Sequence, residues 1–418
     1  MNLIKTSLLN GISVAVKMLT LLGINKVLAV YVGPVGYAAL GQFQNAVQMI
    51  TTFASGAINT GVTKYTAEYH YDAARQHKVW RTAGTIALAG SLSTGVTIAI
   101  LNRALATWFL KNSNYGGVFV WFGATLLFFT LNTLLLAILN GKKEIPRYVI
   151  ANIAGSCVSL VVTSVMAIQF GLYGALVALV IYQSISCIVT LLLCHRAPWF
   201  KLSHLYGGLD KQTAMDLGKY AAMALVSAVC VPISQVLVRN YLGETFGWAS
   251  AGYWEASWRL SIAYLMLATT TLSVYYLPRL SELNEPEQLK GEILYGYKII
   301  LPIAALGGIS MYLLRDTIID LLFTHDFSPM RELFAWQILG DFLKIGSWLL
   351  AYLMLGKAMF KQFIVSEIVF SSSFVVLTVM LTKQIGFVGV SVAHAVNYAI
   401  YWAVLAVFIR KKLRSNFG

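Results

Sequence analysis

Apolar runs of about 20 residues recur from one end of this chain to the other, each long enough to cross roughly 30 Å of hydrocarbon as a helix. Inside lipid no water completes the backbone hydrogen bonds, so a spanning segment is either a helix or part of a closed barrel. The runs do not alternate apolar and polar residues as barrel strands do, so helices are expected. Composition agrees, with 58% hydrophobic and 11% charged residues among 418, where a soluble domain carries about 25% charge. The pattern predicts spans at 8–31, 37–62, 81–102, 115–139, 148–169, 172–194, 214–240, 249–277, 292–314, 330–356, 362–382 and 386–409. The second and eighth are the most polar. The fold class is therefore an all-α polytopic membrane protein of about twelve transmembrane helices, with both termini on one side.

The net charge of +14 raises the question of nucleic acid, but its distribution answers it. Basic residues sit in short loops between apolar runs, as the positive-inside rule requires. With cytoplasmic termini, nineteen of the 31 Lys and Arg lie on that side, from Lys5 through Lys142 to Arg410. Five lie opposite: Arg103, Lys111, Arg239, Arg315 and Lys383. The bilayer is the expected partner and nucleic acid is not. The longest outer loop runs only from about Arg315 to Pro329, too short for an extracytoplasmic catalytic domain. Lys17 and Lys26 interrupt the first apolar run, so it reads as an uncleaved helix rather than a signal peptide.

No catalytic apparatus is visible. The four cysteines (Cys157, Cys187, Cys194, Cys230) form no CxxC pair, so neither a disulfide framework nor a zinc site is expected. There is no GxxxxGK[ST], no HExxH and no Ser/His/Asp set of any specificity. The expectation is a transporter without cofactor, metal or catalytic residues, driven by an ion gradient or by mass action.

A polar stretch divides the chain into an N-terminal lobe at 1–195, a cytoplasmic linker at 196–213 and a C-terminal lobe at 214–418. The halves echo each other. Val27-Leu28 precedes Gly33, Gly36 and Gly41, and Val236-Leu237 precedes Gly243, Gly247 and Gly252. Parallel repeats of this kind are a transporter plan, so two pseudo-symmetric six-helix lobes around a central cavity are expected.

Polar residues fall at helical spacing within the spans. Thr6, Asn10, Ser13, Lys17 and Thr20 share one face, as do Asn45, Gln48, Thr52, Ser55 and Asn59, and Asn152, Ser156, Ser159 and Thr163. In the second half Gln337, Asp341 and Lys344 share a face, as do Glu367, Ser371 and Thr378, and Ser391, His394, Tyr398 and Tyr401. Such stripes either bond to neighbouring helices or line a wet cavity. Their length and number favour the cavity. Charges at membrane depth cost at least about 2.5 kcal/mol and are functional candidates. Lys17, Lys26, Arg259, Lys344 and Lys298 are candidates for an anionic group such as phosphate. Lys26 stands nine residues after Lys17, on the opposite face of a straight helix, where it can snorkel outward. Lys219 can snorkel inward. Asn45, Gln48 and Asn59, with the acids Glu255, Asp341 and Glu367, are candidates for cavity lining and ion coupling. Glu255 with Arg259 and Asp341 with Lys344 also read as pairs along one helix.

Three stretches resemble a known family. Gly61-Val62-Thr63-Lys64-Tyr65 with Tyr69-His70, Tyr276-Leu277-Pro278-Arg279-Leu280-Ser281, and Met330 through Lys344 (MRELFAWQILGDFLK) are similar to Wzx-type flippases of the MATE-like multidrug/oligosaccharidyl-lipid/polysaccharide exporter superfamily. The likeness spans nearly the whole chain and is looser in helices three to six and eleven to twelve. It implies two six-helix lobes in the inner membrane of a Gram-negative bacterium. It also implies movement of an undecaprenyl-pyrophosphate-linked oligosaccharide, an enterobacterial common antigen or O-antigen unit, from the cytoplasmic to the periplasmic leaflet. A polysaccharide polymerase and a chain-length regulator would be protein partners. The alternatives are a MATE-type cation-coupled drug exporter, which the lysines oppose, and a membrane polysaccharide polymerase or ligase, which the short loops oppose.

Overall fold

The structure, a computed structural model, describes residues 3–283, 285–357 and 359–414. Side chains at 3–8, 10, 219, 220, 223, 267, 271, 274, 278, 281, 282 and 414 lie outside the description, and with them the readings of Lys5, Thr6, Asn10, Lys219, Pro278, Ser281 and Arg414. The described residues form helices joined by short turns: α1 (Leu3–Tyr31), α2 (Gly33–Ala54), α3 (Asn59–Glu68), α4 (Ala73–Ile100), α5 (Asn102–Leu110), α6 (Gly116–Gly141), α7 (Ile145–His195), α8 (Lys211–Phe246), α9 (Trp248–Thr271), α10 (Leu277–Glu282), α11 (Pro286–Leu313), α12 (Arg315–Leu322), α13 (Phe334–Gly356), α14 (Phe360–Ile385) and α15 (Gly389–Arg414).

Nine helices among the described residues are long and apolar enough to cross a membrane. One of them, α7, has 51 residues and breaks at Gly171 (φ 54°, ψ −134°), a backbone conformation open mainly to glycine. It therefore supplies the two spans expected at 148–169 and 172–194. The helices missing from the nine are α2 and α9, of 22 and 24 residues. Their length suffices, and their polar side chains lower the hydropathy. With α7 counted as two, these bring the set to the expected twelve.

The second span needs correction. A continuous helix over 37–62 was expected, but α2 stops at Ala54 and α3 starts at Asn59. Between them Gly56 (φ 64°) and Ala57 (φ 54°) both take left-handed backbone. Asn59 therefore does not extend the Asn45–Ser55 stripe along one axis.

Two compact units result: Met1–Val32 with Ala39–Pro232, and Gly33–Ala38 with Ile233–Gly418. In the first, Trp80, Ala83, Leu134, Ile138, Cys194 and Leu217 share an apolar core. Small residues let its helices touch: a Cβ at Gly95 would stand 2.8 Å from the Gly123 carbonyl oxygen, the close backbone approach typical of membrane bundles. The second unit has one core around Tyr276, Leu349, Leu353 and Leu405. Another surrounds Trp254, with Ala38, Val238, Leu333 and Phe374.

The stretch between α7 and α8 is fastened to α4. Phe200 and Leu205 enter the first unit's core. Trp199 meets Trp80 at 5.6 Å and donates from Nε1 to Glu144 at 2.9 Å. The Thr85 hydroxyl donates to the Gly207 carbonyl at 3.0 Å. Asp210 pairs with Lys78 at 2.9 Å and accepts from the Thr213 amide at the start of α8. Its hydrogen bonds from Thr213 lower its pKa to about 2. The His204 ring stacks on His77 at 3.7 Å. Burial pushes His204 below the usual imidazole range, Arg81 and Lys201 add to that, and the hydrogen bond its ring donates to the Trp199 backbone carbonyl opposes it. A histidine whose folded pKa is depressed holds fully above its unfolded value of about 6.5 and loosens as pH falls through that value. Hydrogen exchange at 196–210, corrected for intrinsic rates, is therefore expected to rise between about pH 7.5 and 5.5. His204→Gln should flatten that rise, and an unchanged profile in the variant would reject the assignment.

Candidate functional site

The second unit gathers the buried charges. Gly247 (φ 90°) turns the chain directly from α8 into α9, so the two helices run side by side. Glu255 and Arg259 stand one turn apart on α9, and Arg259 Nε donates to Glu255 Oε1 at 2.9 Å. The other carboxylate oxygen, Oε2, accepts from Arg239 Nη2 of α8 at 2.6 Å. These three side chains are 1%, 4% and 6% exposed for Arg239, Glu255 and Arg259. Rings flank the cations: Trp254 lies 5.4 Å from the Arg239 guanidinium and Tyr37 5.4 Å from that of Arg259. One carboxylate between two guanidiniums leaves the triad with one net positive charge. A desolvated triad of this kind holds only while every member is paired.

Beside it, α13 and α15 face each other through matched polar residues. Gln337 donates to the Ser261 hydroxyl at 3.0 Å and accepts from Ser391 at 3.4 Å. His394 Nε2 meets Asp341 Oδ1 at 3.0 Å. One turn on, the Lys344 ammonium sits 4.7, 5.1 and 5.2 Å from the ring centres of Trp258, Trp348 and Tyr398. Desolvated cation–π contacts of this kind contribute up to about 2 kcal/mol each. Asp341 and Glu367 both attract Lys344. Gly340 makes the approach feasible, since a Cβ there would run into the His394 ring. The expectation that these two stripes line a cavity is corrected here: they bond helix to helix. The i,i+3 reading of Asp341 with Lys344 changes too, because the hydrogen-bonded partner of Asp341 is His394.

The other candidates are dispersed. Lys17 on α1 is exposed and Lys26 half-buried. Asn45 is buried and its Nδ2 has no hydrogen-bond partner among the described residues. Gln48 is exposed and Asn59 half-buried. On the fifth span's stripe, Asn152 and Ser156 turn to their own helix, donating to the carbonyls of Tyr148 and Asn152 at 2.8 and 2.9 Å. In the second unit Lys298 is exposed on α11 and Glu367 half-buried on α14. The residue the sequence reading misplaced is Arg239, counted as an outer charge and found 1% exposed beside Glu255. Its partner lies 16 positions away on another helix, so no helical spacing points to it.

Comparison with known proteins gives the family and the fold. Residues 38–332 match the model of a family described as polysaccharide biosynthesis protein. The chain is 29% identical over 404 residues to the lipid III flippase of Escherichia coli (strain K12), covering 97% of both chains. The lipid III flippase of Shigella flexneri matches to the same extent. Among solved structures, an inward-facing MATE family multidrug resistance transporter of the MOP superfamily superposes with a TM-score of 0.80 at 16% identity, over 96% of this chain and 95% of that one. An outward-facing one gives 0.70 at 17% identity, over 97% and 96%. At such identities the structural likeness shows the fold alone, and it is the MATE-like fold that the sequence implied. The curated relatives are transporters by name rather than enzymes. With the family model covering well over half of its length, this chain belongs to the polysaccharide biosynthesis protein family.

Proposed function

We propose that this chain is a flippase that carries an undecaprenyl-pyrophosphate-linked oligosaccharide from the cytoplasmic to the periplasmic leaflet of a Gram-negative inner membrane. The observation that carries this reading is the end-to-end match to the lipid III flippases, 97% of each chain. The glycan is an enterobacterial common antigen or O-antigen unit. Charge supports the reading. The first unit holds Lys17 on a polar face of α1, and the second holds Lys298 exposed and Arg239, Arg259 and Lys344 buried. A diphosphate is drawn to such cations, and low dielectric strengthens the attraction. Organic cations are not.

Transport proceeds by alternating access and is coupled to an ion. Asp341 with His394 and Glu367 are the groups that exchange it, Glu255 being held between Arg239 and Arg259, and Asn45, Gln48 and Asn59 hydrate the moving headgroup. The loop charges set both termini in the cytoplasm. A polymerase and a chain-length regulator receive the product.

The test is complementation of flippase-null strains, each with one defined repeat unit, scored by surface glycan. Restoration of one glycan is expected, and failure in every strain would refute the reading. Lys17→Ala should lower export about tenfold, the worth of one charge-assisted contact, with membrane insertion intact. Wild-type export from that variant would remove Lys17 from the substrate path.

A further inference from the structure

Away from the charge clusters, a crevice of about 870 Å³ lies between α11, α13 and α15. Its size falls within the roughly 300–1,000 Å³ of small-molecule sites. Its wall is apolar, with Ile293, Leu350 and Ile409. Its floor is Tyr297 and Trp402, whose polar atoms are already engaged. Trp402 Nε1 donates to the Tyr297 oxygen at 2.8 Å, and the Tyr297 hydroxyl donates to the Gly346 carbonyl at 3.1 Å. A sugar would find few bonding partners there, whereas a hydrocarbon chain would desolvate without loss.

The rim carries both signs. Glu285 immediately precedes α11, Glu287 and Lys290 lie in its first turns, and Arg410 lies near the end of α15. Glu287 and Lys290 stand 3.8 Å apart and remain exposed. Two cations and two carboxylates around one opening suit a headgroup that itself carries both charges. A purely anionic headgroup would meet the carboxylates as like charges, which is costly.

We propose that this crevice binds an amine-bearing zwitterionic phospholipid of the bilayer. Lys290 and Arg410 take its phosphate, Glu285 and Glu287 take its ammonium, and an acyl chain lies along the apolar wall. Basic pockets between transmembrane helices are known to hold lipid headgroups, and here the acidic pair selects among them. The site does not depend on the transport reading and would stand if that reading failed.

The test is native mass spectrometry of the delipidated full-length protein in neutral detergent, with dioleoyl phosphatidylethanolamine, dioleoyl phosphatidylglycerol or undecaprenyl diphosphate added. The ethanolamine lipid is expected to bind about tenfold more tightly than the glycerol lipid, the difference of one charge-assisted contact. Glu285→Gln with Glu287→Gln should bring the two phospholipids to parity, and Lys290→Ala with Arg410→Ala should weaken both. Ala406 lines the crevice and is exposed, so Ala406→Trp should block binding without touching a charge. All three substitution sets change exposed positions, and a monodisperse elution profile verifies folding. Equal binding of the two phospholipids to the wild type, a preference that survives the Glu→Gln pair, or displacement of the ethanolamine lipid by equimolar undecaprenyl diphosphate would each overturn the proposal.

Discussion

Glu255→Gln is expected to destabilise the protein by about 3–5 kcal/mol, the usual effect of removing one partner from a buried ion pair. The neutral amide would leave Arg239 and Arg259, 1% and 6% exposed, facing each other without the carboxylate that separates their charges. Neither guanidinium can shed its proton at any accessible pH, so the strain has no chemical outlet. The variant should reach the membrane at reduced level, unfold at lower temperature in detergent and export little glycan. Glu255→Gln combined with Arg259→Gln removes one of the unbalanced charges. Its loss should be smaller than the sum of the two single losses, a coupling that a double-mutant cycle measures directly. Strict additivity, or a Glu255→Gln protein as stable as the wild type, would show that the triad does not hold α8 to α9.

Lys344→Met is the second change with a large expected effect. Methionine keeps most of the side chain's length and fills the space between Trp258, Trp348 and Tyr398, but it removes the cation that Asp341 and Glu367 attract. Packing should survive and export should fall at least about tenfold, the equivalent of 1.4 kcal/mol. Lys344→Ala should lose both, because truncation adds a cavity to the missing charge. Lys344→Arg, which retains the charge and can stack on the rings, should recover part of the activity. Wild-type glycan export from Lys344→Met would mean that the charge has no part in transport.

Much of the fold was legible because hydropathy responds directly to the bilayer. The helix α6 and both arms of α7 are so apolar that nothing competes with a membrane reading. Legibility fell where polarity rose. The α9 helix carries Glu255 and Arg259 and lies outside the nine hydropathic spans; it was expected only as one of the two most polar runs. The break after α2 turns on Gly56 and Ala57 together, and the left-handed backbone of Ala57 has no signal in the residue type. The candidate site was legible as a list and not as an arrangement. Helical spacing identified Glu255 with Arg259 because both lie on one helix. It missed the hydrogen bond of Asp341 to His394 and placed Arg239 among loop charges, because those contacts cross between helices. A stripe read along one helix carries no information about what stands opposite. In α13 and α15 the opposite surface is another stripe, so residues that look like a wetted wall are fastened to each other.

The ammonium of Lys344 sits between two of the chain's ten indoles. Indole emission shifts in wavelength and yield when a nearby charge moves. The protein thus carries an optical reporter at its buried lysine, and rearrangement there during a transport cycle can be followed by intrinsic fluorescence of the purified protein in liposomes.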